Sequence, residues 1–367
     1  MKKRQLPKMD YVLLGTVMSL LVFGLLALSS ASSILSFERF GHNHFYILRQ
    51  ISFGAIPGLV MLYLFSKLDY HIWQKLAPLL VLLGMVLLVL VLIPWIGFQV
   101  GGSRRWIDFG YFLFQPTEFV KLAIILYLAS WYDKRQHHVQ DLYYGFLPIL
   151  GVVGVISGLV IMEPDLGTMI ALATIAAVMF YVGGVKFKYL FSTAAASLLM
   201  IWILIKAAPY RLQRLTAYFN PEVDTQGISY QINQALLAIG SGGLWGIGFG
   251  QSRQKFNYLP ETIGDSIFAV MSEELGFIRI TILLLIFLFF AFRGFKIARA
   301  APDVFGKLVA TGITSWLVFQ SLINIGGITA IIPLAGIPLP FISYGSSALA
   351  ISLASIGILL NISRFSE

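Results

Sequence analysis

Apolar runs of about 20 residues recur along the whole chain, and a run of that length matches the hydrocarbon core of a bilayer. Hydrophobic residues make up 58% of the sequence and charged residues only 12%, about half the charged fraction of soluble domains. The sequence therefore predicts an all-α, polytopic membrane protein with about ten transmembrane helices. The predicted spans are 11–33, 47–66, 76–96, 114–131, 144–162, 166–183, 190–207, 266–292, 307–331 and 344–361.

The basic residues of the short loops indicate how the spans are oriented. Lysine and arginine concentrate in the cytoplasmic loops of membrane proteins, and with ten spans most of them fall on the side of both termini. Both termini are therefore predicted to be cytoplasmic, in a single membrane domain covering 1–367. The first run could be a cleaved signal segment, but its apolar core is long for one, so an uncleaved span fits better.

One predicted extracytoplasmic loop, 208–265 between spans seven and eight, is much longer than a usual connection. Its middle, 230–239, has the amphipathic spacing of a helix and could lie in the membrane interface. Basic residues that break the charge bias cluster mainly in this loop and in the loop after span three. Those in the two loops are Arg104, Arg105, Arg211, Arg214, Arg253 and Lys255. Together with a net charge of +9, they favour anionic lipid or a phosphorylated substrate as ligand, and nothing indicates nucleic acid.

The chain has no cysteine, which excludes disulfides, thiol nucleophiles and zinc–thiolate sites. Its five histidines form no metal-ligand pattern. No dedicated metal site is therefore predicted.

Asp265 follows a polar turn and opens the apolar run of span eight. A carboxylate at a membrane surface is costly and indicates a functional site. It could act as a general base with a pKa raised by the apolar rim. It could equally be the N-cap of span eight, since aspartate is a favoured cap residue.

Glu273 and Glu274 come about 12 Å deeper along the same predicted helix, at about 1.5 Å per residue. They could join helices inside the bundle as structural groups. Alternatively, one of them could pair with a cation on another span, for which Lys121 is the candidate.

Span four opens with Glu118 and Lys121, which share a helix face because they are three residues apart. They could neutralise each other, or the lysine could reach a phosphate. In the preceding loop, Arg104 and Arg105 could bind phosphate bidentately and Trp106 could stack on a sugar, although an interfacial anchor is the alternative. Asp165 is predicted to cap span six.

Several longer motifs, taken in order, resemble the shape, elongation, division and sporulation (SEDS) family of FtsW/RodA type, over essentially the whole chain. The motifs are SSASS (29–33), RRW (104–106), FQPTEFVKL (114–122), EPDLGT (163–168), YQINQALLAIGSGG (230–243), QKFNYLPE (254–261), DSIFAV (265–270), EELG (273–276), IPLPFISYG (337–345) and ILLNISR (358–364). The sequence at 252–261 is closer to that of the division type, whereas GIPLPF at 336–341 is closer to that of the elongation type.

The resemblance implies a peptidoglycan glycosyltransferase of the bacterial cytoplasmic membrane that uses lipid II, with Asp265 as the essential residue. It also implies a class B penicillin-binding protein as transpeptidase partner, besides other division or elongation proteins. The family usually has His-Thr before this aspartate and Phe after it, where this chain has Ile263, Gly264 and Ser266. The glycine is expected to loosen the turn. Ser346 stands where the family has a second glycine.

In the expected mechanism Asp265 accepts the proton of an attacking sugar hydroxyl. Arg104, Arg105, Arg211, Arg214, Lys255 and Lys121 are the candidates for binding the lipid-linked pyrophosphate, with Glu273 or Glu274 orienting Lys121. A divalent cation, Mg²⁺ or Mn²⁺, could assist the pyrophosphate. The alternatives are a lipid II flippase, which needs polar groups through the full bilayer depth, and a non-catalytic scaffold for a transpeptidase.

Overall fold

The computed structural model describes residues 9–100, 103–207, 218–219 and 227–365. Its first four helices are α1 (Tyr11–Ala31), α2 (Ser33–Phe40), α3 (Phe45–Lys67) and α4 (His71–Leu92). The side chain of Asp10 caps α1 by accepting a hydrogen bond from the backbone N–H of Leu13 at 2.9 Å. α3 contains a π-helical turn at Ile51–Ala55.

A small antiparallel sheet follows α4, with strand order β1-β2-β3. The strands are β1 (Gly97–Val100), β2 (Ser103–Asp108) and β3 (Leu113–Phe114). Runs of apolar residues do not predict this sheet, because its strands are only two to six residues long. The sheet is important for the site since β2 carries Arg104, Arg105 and Trp106.

Eight further helices complete the described part of the chain. They are α5 (Pro116–Lys134), α6 (Leu142–Met162), α7 (Leu166–Val182), α8 (Phe187–Ala207), α9 (Ile228–Ser241), α10 (Ile267–Ala300), α11 (Val304–Ile328) and α12 (Ser346–Phe365). α11 and α12 form the centre of the bundle. Of the residues in an apolar 18-residue stretch of each helix, 72% are buried in α11 and 83% in α12, against 28% in α4. The exposed faces of the outer helices are apolar, as lipid contact requires.

α10 is kinked at Gly276, where the glycine-rich segment 242–255 lies against it. Gly276 has a φ of 76°, and a Cβ there would lie 2.1 Å from the backbone nitrogen of Gly246. The N–H groups of Ile247 and Gly248 donate to the carbonyls of Glu273 and Glu274 at 3.0 and 3.1 Å. The glycines are therefore required by the close approach of two backbones.

α11 and α12 are joined by a non-helical break at 329–345, which contains three prolines. Such irregular backbone is tolerated at membrane depth only where protein or a cavity covers it. The break is largely buried: Leu339, Phe341 and Ile342 are each at most 4% exposed. It lies beside the turn that carries Asp265, as described below.

A helix lies at each of the ten predicted spans, and the fold is helical with multiple membrane-spanning segments, as predicted. Seven of the described helices are long and apolar enough to cross a membrane. α9 coincides with the amphipathic part of the predicted loop at 208–265, whereas Arg211 and Arg214 lie outside the described residues. The number of crossings, the location of the termini and the single-domain assignment stay predictions.

The predicted orientation can be tested by cysteine labelling, because the chain has no native cysteine. Gln251, in the glycine-rich segment, and Gln136, after α5, are both exposed. A cysteine at Gln251 is expected to react with a membrane-impermeant maleimide in intact cells, and one at Gln136 only after lysis. The reverse pattern would invert the orientation.

Candidate functional site

Asp265 lies in a tight turn immediately before α10. The N–H groups of Gly264 and Ser266 donate to the carbonyl of Glu261 at 3.0 and 3.1 Å. Asp265 is partly exposed, whereas the following residues, from Ser266 to Glu274, are buried. The turn therefore places Asp265 at the edge of the buried part of the bundle, where the residue stays accessible.

The break between α11 and α12 fixes this turn from the other side. The hydroxyl of Ser343 donates to the carbonyl of Gly264 at 2.8 Å, and the N–H of Tyr344 donates to the carbonyl of Ile263 at 2.8 Å. Both polar groups of the Gly264 backbone are thus bonded, which opposes the expected loosening of the turn by glycine.

The N-cap position of α10 is Ser266, and Asp265 precedes it by one residue. The alternative that Asp265 is the helix cap is therefore not supported by the structure. Ser266 is itself buried and its hydroxyl accepts a hydrogen bond from the side-chain amide of Gln231, on α9, at 3.0 Å. This contact brings α9 to the Asp265 turn.

Glu118 and Lys121 form the predicted ion pair on α5. Their Oε1 and Nζ atoms are 2.8 Å apart, and each residue is only 1% exposed. The ammonium also donates to Oε1 of Gln320, on α11, at 2.8 Å and lies 5.0 Å from the ring centre of Trp316. Lys121 is thus buried and fully engaged, which argues against its predicted contact with a phosphate.

The prediction that Glu273 or Glu274 pairs with Lys121 is wrong. Glu274 lies 3.2 Å from the ammonium of Lys255 and accepts hydrogen bonds from the hydroxyl of Ser30, on α1, at 2.7 and 2.8 Å. Glu273 accepts from the hydroxyl of Ser252 and from the N–H of Arg253 at 3.2 Å. The two glutamates therefore bind the glycine-rich segment to α10 and α1, which is the structural alternative.

Lys255 was predicted to bind substrate, but it is only 6% exposed. Besides Glu274, its ammonium donates to the carbonyl of Gly250 at 2.6 Å and to the hydroxyl of Ser30 at 3.3 Å. Because a buried lysine needs these partners, Lys255 is committed to holding the segment in place, which argues against its predicted contact with substrate.

Arg105 connects β2 to the turn between α6 and α7. Its guanidinium donates to the carbonyls of Glu163 and Pro164 at 3.2 and 2.6 Å and lies 3.6 Å from the carboxylate of Asp165. Asp165 also accepts from the N–H of Thr168 at 3.0 Å, which confirms it as the cap of α7. Arg105 is thus largely committed to this turn.

Arg104 and Trp106 are half-buried on β2. They pair with Gln99 and Phe98 of β1, whereas Arg105 is the extra residue of a β-bulge between them and its guanidinium is bound to the turn between α6 and α7. Of the two adjacent arginines, Arg104 therefore fits the predicted phosphate contact better.

Sequence reasoning missed the buried carboxyl of Glu163. The residue is 0% exposed, and neither carboxyl oxygen has a hydrogen-bond partner among the described residues. Burial, reinforced by the nearby charge of Asp165, raises the pKa of Glu163 to about 9. It is therefore neutral at pH 7, a state that nothing in the motif EPDLGT signals.

The described residues contain no cluster of three or more histidine, aspartate or glutamate side chains that could hold a metal ion. Mg²⁺ is often bound by one or two carboxylates together with substrate phosphates, and Asp265 supplies one such carboxylate. The involvement of Mg²⁺ or Mn²⁺ stays a prediction.

Comparison with known proteins assigns the chain to a family. A sequence model of the FtsW/RodA/SpoVE family, described as a cell cycle protein, matches residues 11–367. The chain belongs to this family. It is a multi-pass protein of the bacterial cytoplasmic membrane, as predicted.

Two relatives illustrate the similarity. Stage V sporulation protein E of Bacillus subtilis is 43% identical over 358 residues, which cover 98% of each chain. A probable peptidoglycan glycosyltransferase FtsW of Trichlorobacter lovleyi is 39% identical, covering 99% of this chain and 95% of the relative. These similarities confirm the SEDS resemblance.

Solved structures of family members have the same fold. A chain from a peptidoglycan synthase complex, studied for the coordination of polymerization and crosslinking, is 26% identical with a TM-score of 0.81, covering 97% of this chain and 98% of that one. The rod shape-determining protein RodA of Thermus thermophilus is 27% identical with a TM-score of 0.71, covering 97% of each chain.

Proposed function

We propose that this protein is a peptidoglycan glycosyltransferase that polymerises lipid II at the outer face of the cytoplasmic membrane, with Asp265 as general base. The observation that carries the proposal is the position of Asp265 on a turn that is bonded to the break between α11 and α12 and still partly exposed. A base needs both properties, a fixed carboxylate and access for the substrate. The names of the relatives supply the reaction class.

In the proposed reaction the 4-hydroxyl of an incoming lipid-linked disaccharide attacks the anomeric carbon of the growing chain. A bond forms between that oxygen and the anomeric carbon, the bond to the pyrophosphate oxygen breaks, and Asp265 takes the hydroxyl proton. Polyprenyl pyrophosphate leaves with the bonding electron pair. Its growing negative charge needs cationic groups nearby.

Arg104 is the described residue best suited to contact the pyrophosphate, with Trp106 beside it for a sugar ring. Arg211 and Arg214 remain candidates from the sequence. Arg105, Lys121 and Lys255 support the site without contacting the substrate, because each of them is paired with a carboxylate of the protein.

A class B penicillin-binding protein is proposed as partner, because a chain of the same fold belongs to a complex that couples polymerization to crosslinking. A partner that crosslinks the strand as it forms fits the same membrane face. The family names also favour other division or elongation proteins as partners.

Replacing Arg104 with alanine is expected to weaken lipid II binding about 10- to 150-fold, since a hydrogen bond to a charged group is worth about 1.5–3 kcal/mol. The matched change Arg105→Ala is expected to lower the melting temperature in detergent, because it releases the turn between α6 and α7. If the Arg104 variant binds lipid II with wild-type affinity, Arg104 and Trp106 serve as a membrane anchor and do not bind the substrate.

A flippase is the second candidate. It is favoured by a series of buried polar side chains on α11, which extends over about 20 Å of helix at about 1.5 Å per residue. The series consists of Thr311, Thr314, Ser315, Gln320, Ser321 and Asn324. A headgroup path through the bilayer would need such groups.

A vesicle experiment distinguishes the two. Purified protein is reconstituted in vesicles, and lipid II is supplied either in the leaflet that the Asp265 side faces or in the opposite leaflet only. A polymerase is expected to form strands from the first pool and to leave the second pool untouched. Transfer of lipid II between leaflets without strand formation would favour the flippase.

A further inference from the structure

Asn324 is a buried amide on α11, close to the Asp265 turn and outside the residues that the sequence motifs marked. It is 4% exposed. Its side-chain nitrogen donates one hydrogen bond to the backbone carbonyl of Asp265 at 3.0 Å and a second to the carbonyl of Ile337 at 2.8 Å. Both amide protons are therefore used, and they join the Asp265 turn to the break between α11 and α12.

The amide oxygen of Asn324 is buried and has no hydrogen-bond partner among the described residues. Leaving a buried acceptor unpaired costs about 1–3 kcal/mol. An apolar side chain of similar size would avoid this cost, but it would leave the carbonyls of Asp265 and Ile337 without the hydrogen bonds that Asn324 donates. The two donors are thus the feature that accounts for an asparagine at this position.

A second amide, one turn earlier on α11, also binds the break. Gln320 lies four residues before Asn324, on the same helix face, and its side-chain nitrogen donates to the carbonyl of Pro338 at 2.9 Å. The oxygen of the same amide accepts from Lys121 and from the indole of Trp316, each at 2.8 Å. The break is therefore bonded to a part of α11 that is itself anchored to α5.

We propose that Asn324 is a positioning residue for Asp265, which sets the height and direction of the carboxylate by holding its backbone carbonyl against the α11–α12 break. The proposal rests on the proposed function, in which Asp265 is the general base. Removing the amide takes away the bond to the carbonyl of the last peptide before α10, while the N–H of the same peptide stays bonded to the carbonyl of Glu261. A carboxylate displaced by about 1 Å can lose about 10²-fold in rate.

The test uses the full-length protein purified in detergent, with lipid II as the probe. Asn324→Leu keeps the approximate volume without donors, Asn324→Ser is a milder change that can donate at most one hydrogen bond, and Asn324→Gln keeps the amide. The matched control is Asn361→Leu. Asn361 is a buried asparagine on α12 whose side chain bonds the backbone of Ser66 and Tyr70, at 3.0 and 2.9 Å.

The expected result is a fall in kcat of about 10²-fold for Asn324→Leu, with an unchanged KM for lipid II. Asn324→Ser is expected to lose less, and Asn324→Gln is expected to recover part of the activity. Hydrogen exchange is expected to rise in peptides covering 259–268 in the Leu and Ser variants. Asn361→Leu is expected to lower the melting temperature without changing kcat or exchange at 259–268.

Wild-type kcat and wild-type exchange at 259–268 in a folded Asn324→Leu or Asn324→Ser variant would overturn the inference. If Asp265→Asn is inactive in the same assay, the proposed function survives that result. If Asp265→Asn is fully active, the base assignment fails. Exchange at 259–268 then still decides whether Asn324 holds the turn.

Discussion

Replacing Asp265 with asparagine is expected to reduce the rate of glycan strand formation by about 10²–10⁴-fold, the usual contribution of general acid–base catalysis. The amide has nearly the shape of the carboxylate and leaves the backbone bonds of residues 263–266 intact. It cannot accept a proton from the attacking hydroxyl. Expression, lipid II binding and association with a transpeptidase are therefore expected to persist, and the measurement is the initial rate with purified lipid II.

Glu261→Gln provides a matched control in the same turn. Its side chain is exposed, and the structural bonds of the turn use its backbone carbonyl. The rate of this variant is expected to stay at the wild-type value. A wild-type rate in Asp265→Asn would remove the base assignment, whereas equal losses in both variants would point to a general effect of charge.

Breaking the buried pair of Glu118 and Lys121 is expected to cost about 3–5 kcal/mol of folding free energy for either single change, because the remaining charge is stranded. Lys121→Met also leaves the amide of Gln320 without its ammonium partner. The double variant Glu118→Gln, Lys121→Met is expected to be more stable than either single variant. The measurement is thermal unfolding in detergent.

The pair of Asp10 and Arg293 is a suitable comparison, because it is more exposed: 10% and 21% for the two side chains, against 2% for each member of the buried pair. Breaking it by Asp10→Asn is expected to lower the melting temperature less. Simple additivity of the Glu118 and Lys121 changes would show that the two residues do not interact.

The parts of the account that depend on local sequence could be predicted. Spans follow from runs of apolar residues, the pairing of Glu118 with Lys121 from their spacing on one helix, and the capping role of Asp165 from its position before an apolar run. The amphipathic spacing at 230–239 likewise predicted α9. In each case the residues involved lie within a few helical turns of one another, so the feature can be inferred from their spacing in the sequence.

The contacts that the sequence could not predict join residues that are distant along the chain. Glu274 binds Ser30, which precedes it by 244 residues, and Arg105 binds the turn at Glu163, 58 residues later. The predicted pairing of Glu273 or Glu274 with Lys121 is wrong because the glycine-rich segment places Lys255 beside Glu274 instead. Asn324 carried no signal, since its partners are backbone carbonyls of residues 265 and 337.

The central claim, that this membrane protein polymerises lipid II, is tested most directly by incubating the purified protein with lipid II and the class B penicillin-binding protein proposed as its partner. Products are resolved by length on a gel. The account predicts a ladder of glycan strands with the wild-type protein and its loss with Asp265→Asn. It is contradicted if the folded wild-type protein forms no strands under these conditions and instead moves lipid II between the leaflets of a vesicle.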